Sequence, residues 1–93
     1  MRKGRYVVIY DIKNTRNRTR LARLLCEFGK RTQLSVFEVD VEKRKFNRFR
    51  RLLKNRIKNY NDKIYVYPLD KKDIDKIIRL GKSESYLLGD FFI

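Results

Sequence analysis

The fold turns on residues Arg31–Val41, RTQLSVFEVDV. The stretch is rich in β-branched and aromatic residues, which predicts a strand. Its alternation changes phase midway. Leu34 and Val36 share a face with Glu38 and Asp40, whereas Phe37, Val39 and Val41 lie on the other. Strand side chains alternate with a period of two, so a phase change needs an extra residue. The expectation is one strand with a bulge or kink near Ser35–Phe37.

Upstream, Arg5–Ile12 (RYVVIYDI) is apolar on both faces and predicts a strand central in a sheet. Between the two strands, Thr15–Phe28 has helical spacing. Leu21, Leu24, Leu25 and Phe28 form one apolar arc, and Arg16, Arg20 and Arg23 stack opposite it. Asn14 or Thr15 suits the helix start and Gly29 its end. Downstream, Lys43–Tyr60 predicts a second helix, with Phe46, Phe49, Leu53, Ile57 and Tyr60 on one arc. Arg44, Arg48 and Arg51 lie among the basic residues of its other sides. Lys63–Leu69 (KIYVYPL) predicts a third strand with Pro68 near its end or edge. Asp70 can cap a short turn, IIRLG (77–81) can form a last short strand, and the terminal FFI needs a surface to cover it. The order β-α-β-α-β plus a terminal strand points to an α+β, ferredoxin-like sandwich, an antiparallel sheet covered by two long helices. The other sheet face could be buried by a second copy, giving a homodimer through the sheet.

The 93 residues make one domain, 1–93, with 82–93 a C-terminal extension expected to pack on a dimer mate or another partner. Their formal charge of +14 comes from 25 Lys and Arg against 11 Asp and Glu. Residues 1–61 hold 19 of the basic and 5 of the acidic side chains, while the remaining 32 are balanced. Such a field implies either a solvated charged surface or a polyanionic partner, and its size favours nucleic acid. Cys26 is the sole cysteine, which excludes an intrachain disulfide and points to the cytoplasm. Beside the apolar arc, it suits a small core position. The absence of histidine excludes His-based triads and the usual zinc sites. The four glycines are isolated, so no phosphate loop is expected. The apolar run after MRKG is too short to be expected as a signal peptide, and no stretch has the length of a membrane span.

Carboxylates, hydroxyls and many cations remain, a set suited to magnesium-assisted phosphodiester hydrolysis. Asp11 closes the first strand and is the best-placed carboxylate, though a turn or helix-cap role explains it equally simply. Glu38 and Asp40 suit ion pairs with arginines on the sheet surface. The Arg16/Arg20/Arg23 stripe is either solvated or phosphate-contacting; with Arg44, Arg48 and Arg51 on a second basic helix, contact is favoured.

YVVIYDI, RTRLARLL, GKRTQLSVFEVDV, KIYVYPL and RLG together resemble the CRISPR-associated protein 2 family over nearly the whole chain. The strand-terminal YD and the QxSVFE string are the most specific parts. The resemblance implies a ferredoxin-like homodimer that serves CRISPR adaptation, the capture of new spacers from invading DNA. It also implies partnership with the CRISPR integrase subunit, CRISPR-associated protein 1, in a complex holding double-stranded prespacer DNA. Many members are described as magnesium-dependent endoribonucleases or endonucleases. On that pattern Asp11 is the catalytic and metal residue, and two copies share one Mg2+ across the dimer axis. Tyr10, Arg18, Arg20, Arg31 and Phe37 take supporting roles in nucleic-acid handling, with Ser35 at the turn of SVFE. One departure stands out: the loop after YD reads Lys13-Asn14, where relatives often carry another acid. Lys13 and Arg18 could then relieve repulsion between facing carboxylates. The alternative function is a non-catalytic scaffold that holds DNA while the integrase subunit acts.

Overall fold

The computed structural model describes residues 3–70 and Lys72. Strand β1 (Lys3–Asp11) leads to helix α1 (Thr15–Cys26), then to strands β2 (Gly29–Gln33) and β3 (Val36–Glu42). A 3-10 turn (Lys43–Lys45) leads into helix α2 (Phe46–Lys54), and strand β4 (Lys63–Leu69) follows. The strands form one antiparallel sheet in the order β2-β3-β1-β4. Two split βαβ units interleaved in this way give the βαββαβ, ferredoxin-like arrangement. As expected from its two apolar faces, β1 is central, flanked by β3 and β4.

The expectation for Arg31–Val41 needs correction. The chain reverses at Leu34–Ser35, so the phase change separates two strands of a hairpin and is no kink within one. A register irregularity does occur, but within β2 between Arg31 and Gln33. The turn is held from outside its own strands. The Tyr10 hydroxyl donates to the Leu34 carbonyl at 3.3 Å, and the Tyr10 N–H donates to the Ser35 carbonyl at 3.1 Å.

Helix α1 follows its pattern. The Asn14 side chain accepts from the Asn17 N–H at 3.0 Å and so caps the start. Leu21, Leu24 and Leu25 are buried, and burying each contributes about 2 kcal/mol. Cys26, however, is exposed. It is the last helical residue and points off the Leu21/Leu25 arc, so the core position expected for it is not realised. The second helix is also shorter than expected, ending at Lys54 instead of Tyr60. Arg56 and Ile57 donate to the carbonyls of Leu53 and Lys54, three residues back. The buried Asp62 carboxylate then accepts from the N–H groups of Lys58 and Asn59, at 3.4 and 3.2 Å, which draws the chain into a turn. Phe46, Phe49 and Leu53 pack on the core as expected, but Ile57 and Tyr60 are exposed.

The main core lies between helices and sheet, with Val8, Tyr10, Phe37, Val39, Val41, Phe49 and the α1 leucines at its centre. Phe28 meets Phe49 edge-on at 4.9 Å, and Tyr6 stacks on Phe46 at 4.7 Å. The opposite sheet face carries a smaller cluster of Val7 and Val36 with Ile9 and Leu69. Tyr65 and Tyr67 lie beside it by register and stay about half exposed, at 47% and 51%. The expected short strand at 77–81, the cap at Asp70–Lys71 and the 82–93 extension fall outside the described residues, Asp70 itself excepted. No helix among the described residues is long and apolar enough to cross a membrane.

Candidate functional site

Strand pairing gathers three connections at the end of the sheet where β1 finishes. Asp11 lies opposite Lys63, the first residue of β4, and Tyr10 holds the β2–β3 turn. Helix α1 begins four residues after Asp11. A strand end fixes its backbone rigidly, while the loop mouth leaves the side chain open to ligand.

Asp11 is exposed, and its Oδ1 lies 3.4 Å from the Lys13 ammonium. This contact between two solvated groups contributes little to stability. It does place a cation against the carboxylate that closes β1. Arg18 is committed to the scaffold: its guanidinium donates to the Ile12 carbonyl and to the Thr15 hydroxyl, both at 3.2 Å. It therefore braces the loop between Asp11 and α1. Tyr10 and Phe37 are buried, with rings stacked 6.3 Å apart, so they support the strand end from beneath. Arg31 is exposed and lies over the Phe37 ring at 5.4 Å, a cation–π contact that leaves its face toward solvent. Ser35 contributes its carbonyl to the hairpin turn.

The remaining basic candidates form a separate surface on the helix layer. Arg16, Arg20 and Arg23 are exposed along α1, as are Arg44, Arg48 and Arg51 along the 3-10 turn and α2. Arg44 and Lys45 both reach Glu42 at 3.4 Å. Partial desolvation works to raise the Glu42 pKa, but the hydrogen bonds from Arg44 and Lys45 prevail and hold it below the ordinary carboxylate value. Arg48 lines a groove of about 440 Å3 between α1 and α2, with Phe28, Leu52 and Arg56.

Of the two acids expected on the sheet surface, Asp40 behaves so and Glu38 does not. Arg5 meets Asp40 through two bonds of 2.9 and 3.2 Å. The Asp40 hydrogen bond raises the Arg5 pKa, desolvation opposes it, and the charges of Asp40 and Glu38 add to the rise. Glu38 is buried on the same face, opposite Val7 and Lys30 in the two registers.

Among the described residues no group of three His, Cys, Asp or Glu side chains converges as a metal cage. A single hard carboxylate at an open strand end suits magnesium, which takes one or two carboxylates and keeps several waters. Two features of this end escaped the sequence pattern. Leu34 is 78% exposed in the hairpin turn and Tyr60 is fully exposed in the turn before β4. The residue pattern places Leu34 in a strand and Tyr60 in a helix, and both lie in turns instead, where they are exposed.

The family model described as CRISPR associated protein Cas2 matches residues 4–77. CRISPR-associated endoribonuclease Cas2 3 of Synechocystis sp. is 36% identical over 72 residues, covering 77% of this chain and 78% of that protein. CRISPR-associated endoribonuclease Cas2 1 of the same organism is 32% identical over 92 residues, covering 95% and 98%. The crystal structure of Streptococcus pyogenes Cas2 at pH 6.5 superposes with a TM-score of 0.72 at 30% identity, covering 83% of this chain and 99% of that one. By the extent of these matches and the sheet order that frames Asp11, the chain belongs to the CRISPR-associated protein Cas2 family.

Proposed function

We propose that this protein is a dimeric, magnesium-dependent endonuclease of CRISPR adaptation that hydrolyses phosphodiesters in single-stranded RNA, duplex DNA or both. The observation that carries the reading is Asp11, an exposed carboxylate at the end of a central strand, with Lys13 beside it and Lys63 opposite. The names of the relatives, endoribonucleases, support the same class. The apolar sheet face with Val7, Ile9, Val36, Tyr65, Tyr67 and Leu69 is the surface a second copy would cover. Dimerisation through it would bring together two copies of Asp11, each supplying one carboxylate to a shared Mg2+.

Bound there, the ion would supply Lewis-acid polarisation of the scissile phosphate. The chain's own groups then do the remaining work. Lys13 and Lys63 attract the phosphate and offset charge on Asp11. Arg18 keeps the loop in place through Ile12 and Thr15. The arginines of α1 and α2 hold the flanking backbone by charge. The protein would act in the cytoplasm with the integrase subunit, CRISPR-associated protein 1.

One observation favours a second reading, a scaffold that holds prespacer DNA without cutting it. The Asp11 carboxylate is already in contact with Lys13, and among the described residues it belongs to no group of three metal-binding side chains. Comparing wild type with Asp11→Asn on single-stranded RNA and duplex DNA, with magnesium and with chelator, separates the two. The nuclease reading expects cleavage only by wild type with magnesium, and retained binding by the variant. Cleavage that persists in Asp11→Asn removes Asp11 from the mechanism; binding with no cleavage by wild type leaves the scaffold. If about six phosphates are contacted, log affinity falls with log salt at a slope of roughly −5.

A further inference from the structure

The turn between α2 and β4 holds a ring with no role in the fold. Tyr60 is fully exposed, so its aromatic surface stabilises nothing among the described residues. A single exposed apolar residue is ordinary on a protein surface. This one differs in two respects, its rigidity and its place.

The turn is fixed on both sides of Tyr60. The buried Asp62 carboxylate accepts from the N–H groups of Lys58 and Asn59, and the Asp62 N–H donates to the Asn59 carbonyl at 3.1 Å. The ring is therefore presented by a braced loop and loses little backbone freedom on contact. Lys63, three residues on, lies opposite Asp11 in the sheet. Three residues span at most about 11 Å, and antiparallel partners lie about 5 Å apart, so the Tyr60 Cα is within roughly 16 Å of the Asp11 Cα. Around it the sequence reads Lys58-Asn59-Tyr60-Asn61-Asp62-Lys63, and the lysines and asparagines supply phosphate and base-edge partners. An exposed ring between cations is the combination that binds unpaired bases, through stacking on the ring and charge on the backbone.

We propose that Tyr60 is a base-stacking platform that makes the Asp11 end selective for nucleic acid with an unpaired base a few nucleotides from the phosphate held there. In a duplex the bases are already stacked on each other, and their faces are closed to the ring. Single strands, bulges and frayed ends offer a free base. This inference rests on the proposed nucleic-acid role of the Asp11 end and narrows its substrate class.

The test measures binding of the full chain by fluorescence anisotropy, with chelator present to keep substrate intact. The probes are a fluorescein-labelled single-stranded RNA and the blunt DNA duplex of the same sequence. The variants are Tyr60→Ala and Tyr60→Phe. Because the ring is exposed, neither change disturbs the core, which far-UV circular dichroism checks. Loss of one stacked base predicts about 10-fold weaker single-strand binding for Tyr60→Ala, within a range of about 5- to 150-fold. Tyr60→Phe keeps the π-face and stays within about twofold of wild type, as do both variants on the duplex. Equal affinity of Tyr60→Ala and wild type for the single strand overturns the inference. So does an equal loss on the duplex, or a Phe variant as weak as Ala. A wild type that binds neither probe overturns the nucleic-acid role itself, and with it this inference.

Discussion

Replacing Gly29 by alanine tests how closely β2 lies against β3. Gly29 pairs with Val39, and a Cβ there would collide with the Glu38 carbonyl and sit 2.7 Å from the Val39 Cα. Both obstacles are backbone, so no side chain can swing aside. Ordinary contact begins at 3.4 Å, and clearing the Glu38 carbonyl to that distance moves β2 away by about 1.5 Å at this point. That movement weakens the Gly29–Val39 pairing and the adjacent bond from the Asp40 N–H to the Phe28 carbonyl, now 3.0 Å. Two or three backbone bonds at about 1 kcal/mol each amount to about 2–3 kcal/mol. The reduced freedom of the unfolded chain offsets about 0.4–1 kcal/mol, leaving a net loss of about 2 kcal/mol. Gly4 supplies the control. The nearest atoms to a Cβ there belong to the Tyr6 side chain and none of them is backbone, so a small shift of that ring relieves the contact and Gly4→Ala should cost about 1 kcal/mol, less than Gly29→Ala. Equilibrium urea unfolding followed by far-UV circular dichroism reads both. All samples are kept at one protein concentration, because association shifts apparent stability. Against a total of about 5–10 kcal/mol, the Gly29 loss is a clear shift of midpoint. If the two alanine variants unfold at the same midpoint, the close-approach argument is wrong.

Three further outcomes follow from the geometry. Asn14→Ala removes the cap of α1 and should cost about 1 kcal/mol in the same unfolding assay, with Asn14→Asp close to wild type. A double-mutant cycle on Arg5 and Asp40 should give a coupling of about 0.5–1 kcal/mol, because the two side chains are 36% and 42% exposed and water screens the pair. The lowered pKa of Glu42 adds stability that is present above the ordinary value of 4.5 and is lost as pH falls through its folded value. Glu42→Gln should therefore flatten that part of the acid-unfolding profile; an unchanged profile would show that Arg44 and Lys45 do not hold the carboxylate in solution.

The exposed Tyr65 and Tyr67 bear on the dimer proposal. Both lie on the sheet face opposite the helices, next to Val7 and Ile9, where a monomer would leave aromatic surface in water. Burying such rings against a second copy is a common use of an uncovered sheet face. The Asp11 end and the basic helix layer are distinct surfaces. On the proposed function, the helices would hold a nucleic-acid backbone while the Asp11 end received one phosphate.

Much of this was legible in the residues themselves. The two apolar faces of Tyr6–Ile12 make β1 central, and leucine spacing with an Asn cap makes α1, because these depend on local periodicity and near neighbours. The position of Asp11 at a strand end followed directly, as did the basic surface of α1. Three features required the folded chain. The family resemblance puts Ser35 at a turn, but one serine does not distinguish a hairpin reversal from a kink in one strand; hydrogen bonds from Tyr10, 24 residues away, hold the reversal at Leu34–Ser35. The second helix stops at Lys54 because the Asp62 carboxylate takes the N–H groups of Lys58 and Asn59, although the apolar spacing continues to Tyr60. The contact of Lys13 with Asp11 also arises from loop geometry. Periodicity determines which face of a segment is apolar. Where the segment ends, and what its end groups meet, is decided by the backbone donors and acceptors that tertiary contacts bring to it.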